Sequence, residues 1–324
     1  MRILVTDPII ARFAELLAQT ERAHEWSFAA ELGPAELDDA LRGADVVIAS
    51  VLTPEQAASL RPDALLHVTG AGADRVSVDA LPPGVTICNT GHHGAAIAEH
   101  VVMTALMLRR RALEADAQMR AGRWRTIGND ASIPFHPMLR GTTMGLLGLG
   151  EIGTEVGRLA QALGMRLTAL RQRPDAPSPD GLDVAEVYGP DRMLEFVGGA
   201  DVLVVSIPLS ERTRGMIGAA ELAAAKPDLL LINVARGRVV DEDALFDALS
   251  EGRIGGAGID VWWGAPDSEG RVPASVERFS TLDNTVLTPH YSGHARQVFE
   301  QRAADIARNI DLHAAGLPLE RVIR

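Results

Sequence analysis

The chain has 324 residues, enough for two domains with sizeable cores. Its 47% hydrophobic and 4% aromatic content is that of an ordinary α/β protein, and its net charge of −12 argues against general binding to nucleic acid or anionic membranes. No apolar run approaches a membrane span, and the one cysteine, Cys88, excludes an intrachain disulfide and suits a reducing cytosol.

Residues 1–7 read as an immediate first strand rather than a signal peptide. Short apolar runs at 3–5, 46–49, 65–69 and 85–88 predict strands, and 9–18 and 36–41 predict helices between them. Such β–α alternation implies a parallel sheet with helices on both faces. Cys88 falls at a strand end and reads as a small buried residue rather than a nucleophile. A long helical pattern covers 96–113 and continues, with charges, over 112–121. Residues 124–140 carry Gly, Pro and polar residues with no period, so they read as a loop or interface segment.

A buried strand at 144–147 then runs into Gly148-Leu149-Gly150-Glu151-Ile152-Gly153. Ile152, Val156, Leu159, Ala160 and Leu163 recur at helical spacing, Gly164 stops the helix, and another strand follows at 165–170. A strand–turn–helix–strand context makes this a dinucleotide fingerprint. Gly148 permits the tight turn, Gly150 lets a diphosphate approach the main chain, and Gly153 lets the helix pack against its strand. Free N–H groups at the helix start, on Glu151 and Ile152, face the negative charge.

The end of that second strand bears on which dinucleotide is bound. NAD enzymes usually place an acid there for the ribose hydroxyls, but this chain has Arg171-Gln172-Arg173. Two arginines can clamp a 2′-phosphate that an acid would repel, so NADP(H) is expected, with NAD(H) and a merely solvated basic turn as the alternatives. Further strands are expected at 202–206, 229–233, 258–261 and 285–288, and a last helix over 298–312.

Three later segments complete a resemblance: Val205-Ser206-Ile207-Pro208-Leu209-Ser210-Glu211-Arg212-Thr213, Asn233-Val234-Ala235-Arg236-Gly237-Arg238-Val239-Val240-Asp241-Glu242, and Thr288-Pro289-His290-Tyr291-Ser292-Gly293. With the glycine fingerprint, in this order, the chain resembles the D-isomer-specific 2-hydroxyacid dehydrogenases over nearly its whole length. The resemblance implies two doubly wound α/β domains. A Rossmann cofactor domain (96–290) would be inserted into a flavodoxin-like substrate domain (1–95 plus 291–324), with the active site in the cleft. It also implies a homodimer, with the long helix and the loop after it at the interface. Pro208, Thr213, Val234, Asp260 and Gly293 would join the fingerprint in holding the cofactor.

The same resemblance assigns the chemistry. Arg236 would hold the carboxylate and polarise the carbonyl of a small 2-oxo acid, through a planar fork of donors. His290 would protonate the nascent alkoxide or remove the hydroxyl proton in reverse. The stretch Thr69-Gly70-Ala71-Gly72-Ala73-Asp74 stands where the family places its carboxylate-binding loop. Glycines there allow close approach and positive φ, and consecutive amides form an anion nest.

The chain departs from the family at Asp260-Val261-Trp262-Trp263-Gly264-Ala265-Pro266. Typical members carry a Glu at the position of Ala265, paired with the catalytic histidine. Its loss implies a less firmly held His290 of lower pKa, unless Asp267 or Glu269 reaches in. Trp262 and Trp263 are expected at the pocket wall, with core filling the role of at least one. His92 and His93 fall at the hinge between the domains, either as substrate-pocket residues for a bulky or dianionic acid or as a polar hinge pair. The spacing of the histidines with carboxylates and Cys88 supports no metal site. The leading function is thus an NADP(H)- or NAD(H)-dependent oxidoreductase of a small anionic 2-oxo or 2-hydroxy acid. The alternatives are a formate- or phosphonate-type dehydrogenase, favoured by a tryptophan motif and Ala98-Glu99-His100 like those of formate dehydrogenases, or a non-catalytic nicotinamide-binding regulatory protein.

Overall fold

Most strands are short runs rich in β-branched and leucine residues, and every strand is parallel to its neighbours. The computed structural model describes residues 1–324 and divides into two units, Met1–His92 with His294–Arg324, and His93–Gly293.

In the first unit the order is β1 (Arg2–Val5), a 3-10 turn at Ile10–Phe13, α1 (Ala14–Leu17), β2 (Glu25–Phe28), α2 (Pro34–Gly43), β3 (Val46–Ala49), α3 (Pro54–Ala58), β4 (Leu65–Val68) and β5 (Thr86–Cys88). Thr53 and Gln56 close a capping box on α3, with Pro54 at its first turn. The sheet order β2-β1-β3-β4-β5 is flavodoxin-like. One face packs Leu4, Val47, Leu66 and Ile87, and the other packs Ile3, Val46, Ile48 and Cys88. Burial pushes the Cys88 thiol up to about 11, which makes it inert.

The second unit runs through α4 (Gly94–Arg110), α5 (Ala112–Arg120), β6 (Thr143–Leu147), α6 (Glu151–Ala162), β7 (Arg166–Leu170), β8 (Val184–Tyr188), α7 (Met193–Gly199), β9 (Val202–Val205), α8 (Ala219–Ala224), β10 (Leu230–Asn233), α9 (Glu242–Ser250), β11 (Gly256–Ile259), α10 (Ala274–Phe279) and β12 (Thr285–Leu287). Its sheet order, β12-β11-β10-β9-β6-β7-β8, reverses between β6 and β9. That is the Rossmann arrangement, and ligands of such sheets bind beyond the carboxyl ends of the strands at the reversal. The chain then returns to the first unit as α11 (Arg296–Ala315), whose Phe299, Ala303, Ile306 and Ile310 cover the second face of the smaller sheet. Gly316, at φ 67°, ends α11, and the last residues pair antiparallel with β5.

Several expectations are corrected. The edge strands β2 and β8 were not foreseen, because Glu25, Ser27 and Glu186 break any apolar run. The helix expected over 96–113 and beyond is two helices. Arg111, at φ 48°, ends α4 and starts α5, because the buried stripe of α4 stops at Arg109 while α5 buries nothing to hold it in line. Strand β11 begins two residues early, at Gly256. Two glycines hid it, and they are required by packing: a Cβ on Gly258 would lie 2.3 Å from the Thr104 methyl.

Candidate active site

In the second unit the fingerprint turn behaves as three different glycines. Gly148 sits at φ 100°, a conformation that favours glycine, and a Cβ on Gly153 would lie 2.1 Å from the Gly148 carbonyl oxygen. Nothing lies within 4 Å of a Cβ on Gly150, which leaves its main chain open. Gly150 caps α6, so the amides of Glu151, Ile152 and Gly153 start the helix without intrahelical partners. The Glu151 carboxylate is turned away to accept from the Gly94 amide at 3.3 Å. An open backbone beside a helix start fits a pyrophosphate.

At the end of β7 the Arg171 guanidinium donates to the carbonyls of Pro177 (3.1 Å) and Pro174 (3.3 Å), which fixes the following turn. Its Nε is buried without a hydrogen-bond partner. Gln172 and Arg173 are exposed. After β9, the Thr213 hydroxyl donates to the Pro208 carbonyl at 2.7 Å and accepts from the Ser210 amide at 2.7 Å, so it closes the loop on itself.

The turns after β10, β11 and β12 are cross-braced. Asn233, 1% exposed, accepts from the Ala235 amide at 3.1 Å and donates to the Arg236 carbonyl at 3.1 Å. This shapes the turn from which the half-buried Arg236 projects, while Val234 is buried and donates its amide to Val205. Arg236 Nη1 donates to the Ala235 carbonyl at 2.8 Å. The buried Asp260 carboxylate accepts from the Thr288 hydroxyl (2.6 Å) and from the Tyr291 (3.0 Å) and Ser292 (3.1 Å) amides. These bonds flank His290 and hold it at φ 56°, a left-handed conformation uncommon for a side-chain-bearing residue. Gly293 follows as the last residue of this unit.

Trp262 joins the two turns. Its indole donates to the Thr288 carbonyl at 2.9 Å, and its own carbonyl lies where a Cβ on Gly237 would fall, at 2.4 Å. Trp263 stacks on Phe279 at 5.3 Å and donates to the Val240 carbonyl, a packing role. Asp267 and Glu269, both exposed, pair with Arg271, and Asp267 also accepts the Glu269 and Arg271 amides. Neither reaches His290. Reading the sequence missed the brace by Asn233 and Trp262, and it took His100 only as part of a formate dehydrogenase-like motif. That residue is buried on α4, set edge-on to Tyr291 at 5.5 Å, and its pKa is lowered by burial despite the Asp260 charge. The signal available for Trp262 was its doubling with Trp263.

In the first unit, the Thr69 hydroxyl donates to the buried Asp7 carboxylate. The Thr69, Gly70 and Ala71 carbonyls are taken by the Thr90 hydroxyl (2.7 Å), the Thr90 amide (3.2 Å) and Asn89 Nδ2 (2.6 Å). With three consecutive carbonyls turned back, the amides around Ala71 and Gly72 lie on the exposed side. Gly70 does not adopt positive φ; what it contributes is open space, with nothing within 4 Å of its Cβ position. His92, at φ 70°, pairs with Asp305 at 2.7 Å, so its imidazole is committed to α11. His93 precedes α4 as its N-cap residue and belongs to the other unit.

The family model for the D-isomer specific 2-hydroxyacid dehydrogenase, NAD binding domain, matches residues 102–292. The chain is 31% identical to a glycerate dehydrogenase from Methylorubrum extorquens over 292 residues, 88% of this chain and 87% of that one. It is 34% identical to a glyoxylate reductase from Thermococcus gammatolerans over 249 residues, 74% and 70% of the two chains. Among solved structures, the NADPH-dependent glyoxylate/hydroxypyruvate reductase from Sinorhizobium meliloti, in complex with citrate, superposes with a TM-score of 0.81 at 26% identity, over 99% of this chain and 97% of that one.

Proposed function

The chain belongs to the D-isomer-specific 2-hydroxyacid dehydrogenase family, and on that premise we propose that it reduces a small 2-oxo acid such as glyoxylate or hydroxypyruvate, with NADPH as the preferred cofactor. The observation that carries this reading is the brace of Asn233, Asp260 and Trp262, which fixes the turns bearing Arg236 and His290 at the carboxyl ends of β10 and β12, on either side of β11.

In this reading the unit His93–Gly293 holds the cofactor and the other unit holds the acid. The open backbone at Gly150 and the amides of Glu151, Ile152 and Gly153 take the pyrophosphate. A bound nicotinamide supplies the hydride that reduces the carbonyl carbon. The planar guanidinium of Arg236 orients the acid and polarises its carbonyl, and the outward amides of Gly70, Ala71 and Gly72 take its carboxylate. His290 delivers the proton to the carbonyl oxygen, completing the alcohol, and accepts it back in oxidation. The Asp260 bonds to Thr288, Tyr291 and Ser292 fix the backbone from which His290 projects. Pro208, Thr213, Val234, Asp260 and Gly293 shape the cofactor cleft from the strand ends.

NADPH preference rests on Arg171 and Arg173. Arg171 has no acidic partner, and its guanidinium keeps N–H groups beyond the two given to Pro174 and Pro177. A homodimer is supported by the surface of α5 and the segment after it, where Trp124 is 70% and Phe135 82% exposed.

The test is cofactor consumption with NADPH and NADH side by side, using glyoxylate, hydroxypyruvate and pyruvate, with formate and the oxidised cofactors as a further arm. Turnover of a 2-oxo acid, faster with NADPH and lost by about 1,000-fold in Arg236→Ala, is the expected result. Turnover of formate alone would replace the proposed substrate class. Tight cofactor binding without any turnover would make the protein a binder.

A further inference from the structure

The loop at 69–72 is tied to residues 89 and 90, and those are tied in turn to the last residues of the chain. Asn89 is the junction. Its Nδ2 donates to the Ala71 carbonyl at 2.6 Å and its Oδ1 accepts from Arg321 Nε at 3.1 Å. We propose that Arg321 is a positioning residue for the substrate carboxylate, acting through Asn89 to keep the Ala71 carbonyl turned back and the loop amides presented to the acid. This rests on the reading above that the 70–72 amides take that carboxylate.

One physical argument and three observations support the relay. A side-chain amide that accepts from a cation becomes a stronger donor at its other end, so the Arg321 charge tightens the bond to Ala71. Arg321 also reaches the Thr90 carbonyl, through Nη2 at 3.5 Å, and Thr90 holds the carbonyls of Thr69 and Gly70. Gly91 has no positive φ to explain it, yet a Cβ there would lie 2.8 Å from Arg321 Nη1, so the missing side chain makes room for the guanidinium. Arg321 itself is pinned at φ 53°, with its carbonyl accepting from the Asn89 amide at 3.2 Å, and no carboxylate pairs with it. A guanidinium placed against a glycine, an asparagine side chain and one backbone carbonyl, with no counter-charge, is built to hold residues 89–90.

The experiment uses the full-length enzyme with glyoxylate and NADPH. Arg321→Ala and Asn89→Ala should each raise the KM for glyoxylate by about three- to tenfold, leaving kcat and the KM for NADPH within about twofold. The double variant should be no worse than the more affected single one, since both cut one chain of bonds. Gly91→Ala, which displaces the guanidinium without removing it, should reproduce the effect, and amide exchange at residues 70–73 should quicken in all three. An unchanged KM, additive losses, a fall in kcat instead, or unchanged exchange would each overturn the proposal. If the intact enzyme turns over no 2-oxo acid, the functional reading falls and this proposal with it; if it turns over glyoxylate and only the variants fail to respond, the proposal alone falls.

Discussion

Two backbone loops in this protein face outward with free amides, and they are made in opposite ways. The fingerprint at 148–153 is shaped by what is missing: side chains that would strike the Gly148 carbonyl or force an unfavourable φ are absent. The loop at 69–72 is shaped by what is supplied: a threonine and an asparagine bind its carbonyls from behind, and an arginine holds the asparagine. A loop built by exclusion fails all at once when a methyl group is added. One built from hydrogen bonds loosens by steps, each bond contributing about 1 kcal/mol.

The largest expected effect tests the first half of that contrast. Gly153→Val puts carbon 2.1 Å from the Gly148 oxygen and should weaken cofactor binding at least about 100-fold by calorimetry. A tight-binding variant would show that the turn adapts. Next is a difference between the two units in acid. Burial pushes the His67 imidazole of β4 down to about 4, against the stabilising hydrogen bond at Val68 and the Asp305 charge. The unfolded chain takes up that proton near pH 6.5, so the first unit loses up to roughly 3 kcal/mol as pH falls from about 6.5 to about 4, and nothing from this group above that window. Denaturant melts of wild type and His67→Gln across the range should converge in acid; parallel curves would remove His67 as the cause.

A smaller effect probes the loop built by hydrogen bonds. Thr90→Val removes the buried hydroxyl on the Thr69 carbonyl and should raise the KM for the acid about tenfold with cofactor binding unchanged. An all-or-none loss would erase the distinction between the loops. Smallest is Trp262→Phe, which keeps the packing but drops the bond to Thr288. It should lower kcat about fivefold in stopped-flow single turnovers, and an unchanged rate would leave the brace without a kinetic role.

The same contrast explains what the sequence made legible. The fingerprint lies within six residues, and its glycines carry their reasons locally, so strand, turn and helix could be read from spacing alone. The tie on Ala71 comes from Asn89 and Arg321, residues 18 and 250 positions further on, and no window of sequence joins them. Arg236 and His290 stood out through motifs and Asp260 as an expected cofactor residue, but the hydrogen bonds by which Asn233 and Asp260 fix the turns did not. Edge strands and the break at Arg111 were missed for a related reason, since polar edge residues and an unpacked second helix leave no periodic signal.

The brace by Trp262 has an evolutionary corollary. Because its carbonyl fills the space beside Gly237 while its indole holds Thr288, a change in the arginine turn is felt in the histidine turn. The two cannot drift independently, and a designer who wished to transplant this chemistry into another parallel sheet would have to move 233–240, 260–263 and 288–292 as one inherited block.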